Sequence, residues 1–200
     1  MAISKVPPIG GEHVPCDESE FTAALASGDQ RRALTILMTR HGDRIYRYAL
    51  SLTGDHHHAD EVRQQVFVEA YRDLETFAGR SSVLIWLFGI ARHRCLDVMK
   101  THRRWTRRYK RDPPDDPEVD DDPERELDRH RIARLIARCM RRLAPAALES
   151  VVLRYQQELP YDEVATLVGA PIGTVQQRVA RALPVLRKCV DRLMAAGAAS

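Results

Sequence analysis

The chain has 200 residues, 44% hydrophobic and 30% charged, enough to bury a core without disulfides. No apolar run approaches the ~18 residues of a membrane span, and the opening MAISKVPPIGGEH lacks the pattern of a signal peptide, so no membrane insertion and a cytoplasmic location are expected. Aromatic residues make up only 6%, and regularly spaced Pro-Gly turns are missing, which argues against an all-β sandwich.

The net charge of +3 conceals an asymmetry. Residues 112–126 hold nine acidic side chains and one basic one, and the rest of the chain carries 30 basic against 19 acidic residues. Of the 31 cations, 27 are Arg, whose forked guanidinium suits phosphates and base edges. A solvated Arg-rich surface has the same composition, so charge alone leaves nucleic-acid binding open.

In chain order, residues 1–17 are rich in Pro and Gly and read as a disordered arm. A short helix is expected over 18–27 and a second over 29–52, with Leu34, Leu37, Met38, Ile45, Tyr48, Ala49 and Leu52 as its apolar stripe and a bend near His41-Gly42-Asp43. A third runs over 59–77, with Val62, Val66, Ala70 and Leu74 four apart. His56, His57 and His58 precede it in a loop, where a metal site is not supported. A serine in the turn over 78–82 caps a helix over 83–102, and THRRWTRRYKR follows. The tract RDPPDDPEVDDDPERE is Pro-broken and self-repelling, and reads as a flexible acidic linker.

Four helical segments follow, over 127–143, 145–157, 160–168 and from Thr174 onward. The last two, joined by Gly169-Ala170-Pro171-Ile172-Gly173, form a helix-turn-helix pattern. The final helix has an apolar stripe of Val175, Val179, Ala182, Leu183, Leu186, Val190 and Leu193, and Pro184 should kink or end it. Cys95 and Cys139 fall on apolar stripes and read as buried thiols, while Cys16 lies in the arm without an assigned role. No Walker, GxSxG or paired-carboxylate motif is present, so no enzymatic chemistry, metal or cofactor is expected.

The stretch DEVRQQVFVEAYRDLETF (60–77), the Trp86-Leu87 pair and GIARHRCLDVMKTHRR (89–104) resemble region 2 of a bacterial sigma factor. LPYDEVATLVGAPIGTVQQRVARALPVLRK (159–188) resembles region 4. With only these two regions and an acidic linker, the chain resembles the extracytoplasmic-function (ECF) group of sigma-70 relatives. The resemblance implies an all-α fold of two small helical domains, with region 2 over 18–108, the linker over 109–126 and region 4 over 127–195.

It also implies a protein that binds core RNA polymerase, directs it to promoter DNA and is held in check by an anti-sigma factor. Region 2 would dock on the clamp helices of the largest subunit through Asp60, Glu61, Gln64, Gln65 and Phe67. It would open the −10 element with Phe77, Arg80, Ser81, Ser82, Trp86 and His93, while Arg103, Arg104, Arg107 and Arg108 hold phosphates. Region 4 would dock on the β flap and read the −35 element through Arg154, Thr174, Gln176, Gln177, Arg178 and Arg181. Such a protein would be nucleoid-associated when active.

Six positions depart from the family pattern: Gln65 replaces an acidic residue, His93 an Asn, Val83 a Phe, Gln176-Gln177 a basic-Ser pair, and Pro160 a capping Ser. They point to a divergent promoter set. Two rival readings are a helix-turn-helix regulator acting without polymerase and a promoter-inactive interaction module.

Overall fold

The computed structural model describes residues 18–77, 79, 81–109 and 126–197, with side chains over 18–77, 79, 81–101 and 132–195. The predicted arm with Cys16, and residues 110–125 of the predicted linker, lie outside the described residues. Among the described residues there are helices and helical turns but no strand.

The first bundle consists of α1 (Ser19–Ala26), α2 (Gln30–Thr53), α3 (His56–Asp73), a 3₁₀ turn (Leu74–Thr76) and α4 (Val83–Tyr109). Asp29 caps α2 by accepting from the Arg32 N–H at 3.0 Å. Gly54 ends the helix in the left-handed region, at φ +70°. No break occurs at His41-Gly42. Both are buried within the continuous helix, and packing outweighs the weak helix propensity of Gly. The three histidines are not a loop: they form the first turn of α3. The Asp55 carboxylate accepts from the His58 N–H at 2.8 Å, so the cap sits four residues earlier than the apolar row implied. Glu18 accepts from the Val83 N–H at 3.3 Å, linking the start of α1 to that of α4. Leu37, Ile45, Tyr48, Val62, Val66, Leu74, Leu87 and Phe88 fill the centre of the bundle.

The second group consists of α5 (Glu126–Met140), α6 (Pro145–Val151), a π-helical turn (Val152–Gln156), α7 (Tyr161–Val168) and α8 (Ile172–Gly197). Gly169, at φ +65°, ends α7, and the Thr174 and Val175 N–H groups donate to the Pro171 carbonyl as α8 begins. Helix α8 does not end at Pro184 but continues through it, and the proline lies on the exposed face. There the Ala180 carbonyl, deprived of its helical donor, faces solvent, while buried Val179, Ala182 and Cys189 hold the opposite face. Leu183, assigned to the buried stripe, is 40% exposed.

Cys139 and Cys189 are not thiols. They form a disulfide joining α5 to α8, with Cα atoms 5.8 Å apart. A separation of 50 residues gave no pairing signal, and only the packing of α5 on α8 brings the two together. Cys95 is a buried free thiol as expected, and burial, then the charge of Glu149, pushes its pKa up to about 12.

The two groups share one apolar core, in which Leu148, Val152, Leu153, Leu159, Val164 and Val175 join the buried residues of α1–α4. A polar clasp lies alongside. Buried Glu149 accepts from the Tyr48 hydroxyl at 3.2 Å and from Arg92 Nε at 2.8 Å. Arg44 Nη2 donates to the Gln157 carbonyl at 2.6 Å, and the Ser51 hydroxyl to Gln156 Oε1 at 2.8 Å.

Candidate nucleic-acid and partner interfaces

Three surfaces carry the predicted residues. On the first, between α2 and α3, Glu61, Gln64 and Gln65 are exposed, and Asp60 binds Arg63 and Gln64 on its own helix. Phe67 departs from the expected docking row: it is 5% exposed and packs into the core. Its ring still lines a groove of about 550 Å³ with Leu34, Met38, Val68 and Tyr71. Met38, Val68 and Tyr71 are 50%, 44% and 39% exposed, and sequence reasoning missed them as surface residues. Met38 continues the apolar stripe of α2 and so read as core. Val68 and Tyr71 lie off the buried row of α3, and an apolar residue off the row was the available signal.

The second surface surrounds the start of α4. The Phe77 ring stacks between Phe21, 6.0 Å away, and Trp86, 4.9 Å away. Trp86 is half-buried and supports the turn that precedes it. Ser81 and Ser82 are exposed, and the Ser82 hydroxyl caps α4 by accepting from the Ile85 N–H at 3.3 Å. The His93 side chain is 71% exposed, with Nε2 3.4 Å from Asp97. Arg80 lies outside the described residues, as do the side chains of Arg103, Arg104, Arg107 and Arg108, whose backbone continues α4. Next to His93, Arg92 is turned into the clasp.

The third surface is the exposed face of α8. Thr174, Gln176, Gln177 and Arg181 are exposed and Arg178 is half-exposed, all within about the first three turns of the helix. A groove of about 490 Å³ runs between this face and the α5–α6 turn, lined by Arg142, Leu143, Ala144, Ala147, Thr174, Gln177, Arg178, Arg181, Ala182 and Val185. Arg154 belongs to the π-helical turn that precedes α7 and is half-exposed. Its Nη1 donates to the Leu159 carbonyl at 3.2 Å, and its guanidinium lies over the rings of Tyr161 and Tyr155 at 5.1 and 5.8 Å. It braces the entry to α7. Among the described residues, no cluster of His, Cys, Asp or Glu could hold a metal, and no helix is long and apolar enough to cross a membrane.

Residues 37–110 match the family model of sigma-70 region 2, and residues 133–183 that of sigma-70 region 4. The chain is 30% identical to ECF RNA polymerase sigma factor SigE of Mycolicibacterium smegmatis, over 86% of this chain and 68% of the relative. It is 26% identical to RNA polymerase sigma-H factor of Pseudomonas aeruginosa, over 88% and 95%. Among solved structures it resembles CnrH in complex with the cytosolic domain of CnrY, at 26% identity and a TM-score of 0.64, covering 86% of this chain and 96% of that one. It shares the fold of the sigma factor RpoE bound to the anti-sigma factor NepR from Bartonella quintana, at 22% identity and a TM-score of 0.65, covering 77% and 94%. The chain belongs to the extracytoplasmic-function family of RNA polymerase sigma factors. The corresponding function is promoter-directed initiation of transcription.

Proposed function

We propose that this chain binds core RNA polymerase through the α2–α3 surface, opens the −10 element at the start of α4, and reads the −35 element with α8. The observation that carries the reading is the exposed row Thr174, Gln176, Gln177, Arg178 and Arg181 at the start of a helix-turn-helix second helix, inside the region 4 match. Gln and Arg form paired hydrogen bonds with adenine and guanine in the major groove. The apolar groove holding Phe67, Met38, Val68 and Tyr71 suits a helix from the polymerase clamp, with Gln64 at its rim. Region 4 would take the β flap.

The chain supplies recognition, and the polymerase performs nucleotidyl transfer. Its work would be done in the cytoplasm, on the nucleoid. An anti-sigma factor would act by covering these surfaces. Support comes from the resemblance to CnrH, which was solved with CnrY.

The test is run-off transcription with purified bacterial core polymerase on genomic fragments, including the region upstream of this chain's own gene. A discrete start that depends on the protein is expected. Association with core but no transcript would favour a promoter-inactive module. No association with core, with duplex binding retained, would favour a polymerase-independent regulator.

A further inference from the structure

Arg142 was not among the residues expected to touch DNA, yet it lines the same groove as Arg178 and Arg181. One wall of the groove comes from residues 142–147 and the other from α8. Arg142 lies in the tight turn after α5, where its N–H donates to the Cys139 carbonyl at 3.1 Å and the next N–H donates to Met140 at 3.0 Å. The Cys139–Cys189 bond is three residues before Arg142 and eight after Arg181, so it covalently ties the two walls together.

Three guanidiniums line one groove, and no carboxylate does. None of the three forms an ion pair with a described residue. Like charges held on facing walls repel one another and favour a polyanion between them. The rest of the lining includes apolar Leu143, Ala144, Ala147, Ala182 and Val185, surface along which arginine stems can lie while their charged heads stay in water. Thr174 and Gln177 sit on the same rim, so an anion in the groove is continuous with the row that reads bases.

We infer that Arg142 binds a backbone phosphate of the −35 duplex from outside the helix-turn-helix, held in register with α8 by the Cys139–Cys189 bond. The inference rests on the reading of α8 as the −35 contact. A phosphate contact fixes position without carrying sequence information.

The test uses the holoenzyme formed with core polymerase, the promoter duplex recovered by run-off and a random duplex of equal length, titrated from 50 to 200 mM salt. One lost phosphate contact lowers the slope of log K against log[salt] by about 0.9, so over this range wild-type affinity falls about threefold to fourfold more than that of Arg142→Ala. The variant should lose affinity equally on both duplexes, and Arg142→Lys should keep the wild-type slope. In a Cys139→Ser/Cys189→Ser background, the Arg142→Ala effect should shrink. Circular dichroism confirms that each variant is folded.

An unchanged slope for Arg142→Ala with wild-type binding intact overturns the inference, as does a loss confined to one sequence. Weakened binding of an acidic protein partner with an unchanged DNA slope would assign the groove to that partner instead, and equally overturns it. If the wild-type holoenzyme binds neither duplex in a salt-dependent way, the promoter reading fails first and the inference with it.

Discussion

Arg181 and His41 show how similar polar side chains reach opposite ends. Arg181 is exposed on the outer face of α8 and lines the same groove as Gln177 and Arg178. Substituting Arg181→Ala should weaken binding of the cognate −35 duplex by about 1–3 kcal/mol, the range for a good base contact. Binding titrations against single-base variants of the site would show the loss disappearing at one position. Equal loss on every duplex would make Arg181 a phosphate contact instead.

His41 is 2% exposed, and its Nδ1 has no hydrogen-bond partner. Burial, then the charges of Arg44 and Arg40, lowers its pKa to about 4. The unfolded chain protonates this histidine near pH 6.5 while the folded chain keeps it neutral. Stability is therefore unaffected by it above pH 6.5, falls as pH drops from 6.5 toward 4, and levels off below. Between pH 7 and 5 the loss from this group is about 2 kcal/mol. Urea unfolding at the two pH values should show wild type losing that much more than His41→Leu.

At the scale of elements, the α5–α8 disulfide does most to keep the second group together. It closes a loop of 50 residues, and removing such a constraint costs about 2–4 kcal/mol. Calorimetry of Cys139→Ser/Cys189→Ser against wild type should show a lower melting temperature. Reductant should lower the wild-type value toward the variant's and leave the variant unmoved. This bond was not legible in the sequence, because the stripe containing Cys139 reads equally well as a buried thiol. The helices themselves were legible. Spacings of three and four along α2 and α3 placed Leu37, Ile45, Val62, Val66 and Ala70 in the core, and all are buried. The start of α3 was missed because the Asp55 cap, not the apolar row, sets it. That α8 runs on past Pro184 was left open, because a proline was weighed without the buried face opposite it. Of the predicted site residues, the exposed row on α8 could be read from its polar face. The inward turn of Phe67 depends on tertiary neighbours that no local pattern encodes.

For the whole molecule, the relation between the two helical groups was open in the sequence. The structure docks them, with Glu149 of α6 held by Tyr48 of α2 and Arg92 of α4. The Glu149 side chain is 9% exposed, so its charge is stabilised by these two partners more than by water. Substituting Glu149→Ala leaves Arg92 facing an apolar seam, and should cost about 3–5 kcal/mol of docking free energy. Small-angle scattering of the free protein should then show a larger radius of gyration, with helical content by circular dichroism unchanged. An unchanged radius would show that the shared apolar core holds the groups together without the clasp. The α8 row is exposed even in the docked form, whereas Arg92, next to His93 on the −10 surface, is engaged. The His93 side chain itself is 71% exposed with the clasp closed.

The clasp also sets an order of assembly during synthesis. Its partners lie 57 to 113 residues apart along the chain. The ribosome releases the α1–α4 bundle first. Until residue 149 emerges, Arg92 and Tyr48 belong to a folded surface still waiting for its carboxylate. The first bundle thus acts as the template on which α6 and α7 settle before α8 closes the second group.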